Sequence, residues 1–549
     1  MRLAQVVDVR GILMILALAG CVVGDEAEPE QPKPEPLRVE PTALDLTVQL
    51  DAAVPSAFRV MSGEIDVTAR AVYAVTGAPL GTADAAGFHS NGRTGGRATV
   101  KVTFGGTTTS LPVHVVLRAS RNTAAAEVPG WFARAARVVV DGDLEPGDGA
   151  VLAPNLAGLD VAIVPPAGDD VHEVEVVGED LEVHVYGSGG EAKLAAAEWD
   201  AIARTSSGKS IVLIARSLAT ANPTTSHVVS AHVAVADLPL TSEVLFAGMR
   251  AGAPAQIWSY DPARGSTQAW TTSAAAGAGS DLASSRDGRR VAAGVASDPA
   301  NPAGSGTVLD VASRAVIAPP SAQVGSWTGA AFFPDGSLVT ANGGVLTLRS
   351  SDDALPLANL PLDVPASQPT VARNGRALAY VTGPMSGAPA QPVPTELRIQ
   401  GWDPATRALG ESLVLEPAAD GVYVKYPDFS PDDRFVVYAS APAPTGATGD
   451  IMVARADGSK APVLLASGYD MARFASPIVA AHSGYADASP MVWIIMQSDR
   501  AVGGRAQTGA PQLWAMAFYP ELGMASQPFH LPGQDAQVAV LHAPAILQH

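Results

Sequence analysis

Cysteine is almost missing from this chain of 549 residues: there is one, at position 21. A lone thiol excludes an intramolecular disulfide framework and any cysteine-based zinc site, so packing and hydrogen bonds must hold the fold. Charge is also sparse. Asp, Glu, Lys and Arg make up 16% of the residues, and the formal net charge is −19. An acidic surface without a Lys/Arg stripe repels a phosphate backbone, which argues against nucleic-acid binding. Aromatic residues reach only 5%, leaving little material for sugar-stacking platforms.

What the chain does have is glycine (53), proline (44) and a hydrophobic share of 47%, at a mean hydropathy of +0.17. Runs of Val, Thr and Ala stand where Leu-rich helical patterns would otherwise be. That combination describes many short strands joined by turns. The length exceeds what one core organises and implies two to four domains.

The N-terminus carries a compact signal. Arg2 and Arg10 precede an apolar stretch, GILMILALA at 11–19. It falls short of the about 20 apolar residues that a membrane-spanning helix needs. A basic start, a short apolar core and a small-residue end make a secretory signal pattern. The end reads Leu18, Ala19, Gly20, Cys21, which resembles the lipobox of bacterial lipoproteins. That resemblance implies cleavage between Gly20 and Cys21, lipid on the Cys21 sulfur and acylation of the new amino terminus. Several acyl chains, at about 0.8 kcal/mol per buried methylene, would give stable anchoring. Asp8 is unusual in a basic region. Val22, in place of an acidic residue, points to the outer membrane. Residues 1–20 are thus read as signal peptide and 21–37 as an acidic Pro/Glu-rich linker that keeps the folded part off the surface.

Residues 38–118 alternate apolar and polar positions in short runs such as ALDLTVQL at 43–50 and ATVKVTF at 98–104. Period-two alternation with Gly-rich breaks predicts an antiparallel sandwich. Asp66-Val67-Thr68 and the run GGRATV at 95–100 resemble bacterial Ig-like modules, which implies a spacer or adhesion role, with spacer the favoured one. Residues 119–240 are read as a second β-rich, Ig-like domain, with a hairpin of 172–177 and 181–186, strands at 210–215 and 227–233, and a short helix at 195–203. His184, His227 and His232 could ligate a metal, but structural histidines in half-buried strands are the commoner case. The acidic loop 141–148 resembles a calcium loop, yet Pro146 and Leu152 stand where an EF-hand needs Gly and Glu. It is read as a turn with surface carboxylates.

From 241 to 549 a repeat takes over. SRDGRRVAA at 285–293, FPDGSLVT at 333–340, ARNGRALAY at 372–380 and FSPDDRFVVY at 429–438 each place a tight turn before an apolar strand. The turn pairs are Asp287 and Gly288, Asp335 and Gly336, Asn374 and Gly375, and Asp432 and Asp433. They recur 48, 39 and 58 residues apart, against a propeller period of about 40–45 with loops absorbing the excess. With the following run DIMVARADG at 450–458, these segments resemble TolB-like (WD40-like) propeller repeats. The expected fold is all-β: Ig-like β-sandwich modules followed by a β-propeller of six blades, or seven. The first blade lacks an opening strand, which residues 539–543 could supply from the C-terminus.

Chemistry-bearing motifs are scarce. There is no Gly-x-Ser-x-Gly elbow, phosphate loop, HExxH or haem-attachment motif. No α/β-hydrolase stretch follows the repeats before His549. His482, His530, His542 and His549 crowd into the last blade instead of spreading around a channel. Asp499 and Arg500 are expected to tie a blade corner. The sequence therefore predicts no catalytic, cofactor-binding or metal residues. It predicts a lipid-anchored, non-catalytic envelope protein that binds a protein partner through its propeller. The alternative is a carbohydrate-binding or polysaccharide lyase-type protein on the same scaffold, whose platform candidates Trp258, Trp402 and Trp514 fall at core-like strand positions.

Overall fold

The computed structural model describes residues 35–189, 191–270, 282–294, 306–318, 323–383, 394–443, 449–475, 479–480, 490–500, 511–541 and 544–547. Gly20, Cys21, His482, His542 and His549 lie outside them. The described chain is all-β, with two short α-helices, Val128–Arg134 and Ala196–Ser206.

One strand, Thr107–Asn122, organises the N-terminal half. Leu111, Val113, Val115 and Leu117 are buried and the residues between them are more exposed, the alternation of a half-buried strand. Its first part pairs antiparallel with Gly96–Phe104 and its last part pairs parallel with Leu181–Ser188. Those two strands share one edge end to end. The opposite edge takes Leu44–Gln49 in parallel, a departure from the expected antiparallel pattern. The division expected after 118 falls inside this strand. Below it, Val39, Val60, Phe88, Val100 and Val113 share a core built with the small sheets that contain Leu37–Glu40 and Gly87–Ser90.

The middle region contains the expected hairpin, Val171–Gly178 with Leu181–Ser188, and the strands Ser210–Leu218 and Thr225–Val235. Helix Ala196–Ser206 buries Trp199 and Ile202 against this sheet. The same core continues into Val244, Phe246, Trp258, Trp493 and Phe529, so the middle region and the propeller are packed as one body. Trp493 Nε1 donates to the Leu238 carbonyl at 3.1 Å across this junction.

From Glu243 onward the chain forms antiparallel sheets of successive strands, beginning with Glu243–Arg250, Gln256–Asp261 and Ser266–Ala269. Further sheets run from Leu282 to Ala318, from Gly329 to Asn359 and from Ala366 to Glu416. The strand Val463–Phe474 is the outer strand of the sheet begun by Tyr423–Phe429, and then the inner strand of the last one. The innermost strands lie side by side in order around an axis, and the last meets Ala545–Leu547. Val538–Val540 and Ala545–Leu547 both pair with Glu243–Arg250. The C-terminus thus gives the first sheet its inner strand, as two short pieces, and removes the free edges of the ring. The fold of this half is a β-propeller.

Candidate channel site

The innermost strands enclose a cavity of about 130 Å³. Small side chains (Ala283, Ala330, Thr370) keep it open, and Arg286, Arg373, Asp428 and Arg473 charge its lining. Each sheet of the ring contributes to that lining through its innermost strand or the turn that follows it.

Two local features aim these side chains. The first is a β-bulge repeated in three neighbouring inner strands, with register shifts between Ser367 and Thr370, Lys425 and Asp428, and Asp470 and Arg473. Each bulge holds a non-glycine residue in the left-handed region: Gln368 (φ 47), Tyr426 (φ 55) and Met471 (φ 56). Such residues cost about 1–3 kcal/mol each and tend to mark functional regions. A bulge re-aims the residues that follow it, and here Thr370, Asp428 and Arg473 reach the cavity. The bulges brace one another. Tyr426 N–H donates to Gln368 Oε1 at 2.8 Å, and Lys425 Nζ donates to Asp470 Oδ2 at 2.9 Å.

The second feature is the set of repeat turns. Gly288, Gly336, Gly375 and Asp433 each donate a backbone N–H to the carbonyl three residues earlier, at 2.8–3.0 Å, and each has positive φ. Asp287, Asp335, Asn374 and Asp432 accept backbone N–H groups two residues ahead with their side chains. These residues build turns and leave the site to their neighbour. The second turn position is Pro334 and Pro431 in two turns but Arg286 and Arg373 in the other two. Both arginines line the cavity. The signal was in the sequence as a break in the repeat, and reading the turns only as turns passes over it.

Arg286 donates to the Ala372 carbonyl, two sheets away. Burial, with an added push from the Arg373 charge and an opposing pull from Asp433, brings its guanidinium down to about 10. Burial lowers Arg373 as well, against the pull of Asp428 and Asp433. Arg473 Nη1 donates to the Tyr426 carbonyl at 2.8 Å. Burial raises the Asp428 carboxyl, although Arg473 and Arg373 draw it down and Phe474 N–H donates to it at 2.9 Å.

The other residues singled out from sequence are dispersed. His184 is clamped between Glu173 (2.9 Å) and Glu182 (3.0 Å), and Glu173 also pairs with buried Arg216 at 2.6 Å. His227 meets Asp169 at 2.7 Å, and exposed His232 meets Asp148 at 3.4 Å. Trp258, Trp402 and Trp514 are buried in sheet cores. Arg500 donates to Tyr469 OH at 2.9 Å. The acidic loop departs from expectation at one residue. Asp141 and Asp143 are exposed, but Glu145 turns inward and accepts the His530 backbone N–H at 3.0 Å. The propeller covers that side of the loop, and burial pushes Glu145 up to about 7 and His530 down to about 4.

No protein-family model matches this sequence, and no curated protein matches it. Among solved structures, the chain is similar to TolB from Acinetobacter baumannii at 16% identity and a TM-score of 0.27, over 53% of this chain and 62% of that one. It is similar to Kuenenia stuttgartiensis hydrazine synthase at 13% identity and a TM-score of 0.31, over 48% and 69%. A dihydro-heme d1 dehydrogenase matches at 14% identity and a TM-score of 0.30, over 53% and 54%.

Proposed function

We propose that this protein is an exported lipoprotein, cleaved before Cys21 and held by lipid at the cell envelope, on the outer membrane. Its propeller acts as a non-catalytic binding scaffold for an envelope partner. In this reading the propeller has six blades, the acidic linker gives reach, and the N-terminal sandwich is an Ig-like spacer. The observation that carries the binding role is the channel: inner-strand bulges and altered repeat turns converge charged side chains on one small cavity. Support for the anchor is the sequence Leu18–Cys21 after a short apolar core.

Labelled palmitate tests the anchor. The reading expects label in the wild-type chain and none in Cys21→Ser, which should also leave the membrane fraction. Crosslinking in intact cells tests the binding role, using a photoreactive residue in place of Ala283 at the channel. A single recurrent crosslinked envelope protein supports it, and the absence of any adduct counts against it.

A further inference from the structure

Two of the four matched turns replace proline by arginine, and both replacements face the same cavity, where a third arginine arrives from a bulge. Turn geometry does not require this exchange, because Pro334 and Pro431 support the same backbone hydrogen bond in their own turns. The exchange concentrates positive charge in a chain whose net charge is −19. Holding a surplus of like charge in a half-buried site is unfavourable unless a further anion joins it.

We propose that Arg286, Arg373 and Arg473 form a binding site for a single carboxylate group at the mouth of the propeller channel. This rests on the reading of the propeller as a binding scaffold and names the chemistry of what it binds. Three guanidinium groups face two carboxylates, those of Asp428 and Asp433. The balance is one positive charge, which suits a monoanion better than a phosphate dianion. The guanidinium fork matches the two oxygens of a carboxylate in a way that an ammonium does not. A cavity of about 130 Å³ admits a carboxylate and a few carbons, so the occupant is a chain end, an acidic side chain or a small free carboxylate.

The test is fluorescence anisotropy of the full chain in detergent at low salt, with a fluorescein-labelled Gly-Gly-Ala-Ala peptide as free acid and as C-terminal amide. The acid should bind at least ten-fold more tightly than the amide. Arg286→Pro with Arg373→Gln should abolish that difference, and Arg289→Gln, at an exposed neighbour, should preserve it. Circular dichroism confirms that the double variant is folded, and Arg286→Lys should retain part of the preference if the variant is not. Equal binding of acid and amide, no binding of either, or a preference that survives the double substitution overturns the proposal. Competition by acetate separates the two sources. Displacement at an affinity equal to that of the peptide means a free small carboxylate, and weaker displacement means a polypeptide. Failure of the crosslinking experiment above leaves the acid-to-amide ratio untouched, so the two readings fail separately.

Discussion

The carboxylate of Asp433 accepts the backbone N–H of Asn374 at 2.8 Å, and its other oxygen accepts that of Arg373. Asp433 occupies the turn position that is glycine in the three matching turns and has φ 61. An aspartate in that conformation costs about 1 kcal/mol relative to glycine. Two hydrogen bonds to a charged acceptor, each of about 1.5–3 kcal/mol, outweigh this. Asp433→Gly should therefore lower stability by about 2–5 kcal/mol in denaturant titration. An unchanged or raised midpoint would show that the backbone term dominates.

Lys425 and Asp470 are 2% and 6% exposed at the side chain and 2.9 Å apart. They join two adjacent inner-strand bulges. Removing one partner leaves a buried charge, so Lys425→Met should cost about 3–5 kcal/mol. Lys425→Met with Asp470→Leu should recover much of that loss. Urea unfolding of the three proteins decides it, and a double variant no better than the single would refute the assignment.

His184 donates from both ring nitrogens only when charged, and hydrogen bonding to Glu173 raises it to about 9 against the cost of burial. Its folded value lies above the unfolded value of about 6.5. The stabilisation is complete below about 6.5 and is lost as pH rises through about 9. NMR titration should show this histidine changing state near 9, and His184→Gln should flatten the fall in melting temperature across that window.

Glu145 behaves with the opposite consequence at neutral pH. Burial raises its folded value to about 7, so the fold is favoured at low pH and weakened as pH rises from about 4.5 to about 7. Glu145→Gln keeps an acceptor for the His530 N–H and removes the charge. It should raise stability at pH 8, on the order of 1 kcal/mol, and change little at pH 4. Equal melting temperatures for the two proteins at pH 8 would contradict this.

Removing residues 538–549 deletes both C-terminal strands that pair with Glu243–Arg250 and leaves it only Gln256–Asp261. The ring would lose its closing strand and expose the inner edge of Glu243–Arg250. The truncated chain should melt at lower temperature and aggregate, as measured by light scattering during thermal unfolding. A monomeric product with an unchanged melting temperature would mean that the ring does not depend on this closure.

Much of this was legible in the residues. Period-two alternation marked the strands around Val100 and Val113, and the Asp/Asn turns marked the repeat and the need for a C-terminal strand in the first sheet. Those signals are local: a turn or an alternating strand is specified by residues a few positions apart. The bulges at Gln368, Tyr426 and Met471 were hidden, because none of these residue types announces a left-handed backbone, and only neighbouring sheets hold them there. Arg286 and Arg373 stood in plain view as exceptions to a proline position, but their meeting needed the ring, which brings turns 87 residues apart in sequence to one mouth. Glu145 likewise read as a surface acid until the propeller packed over it. The sequence determined which segments become strands and turns, through side-chain pattern and backbone preference. Tertiary structure alone decided which charges lose water and face one another, because desolvation and proximity arise only when distant segments close around the same space.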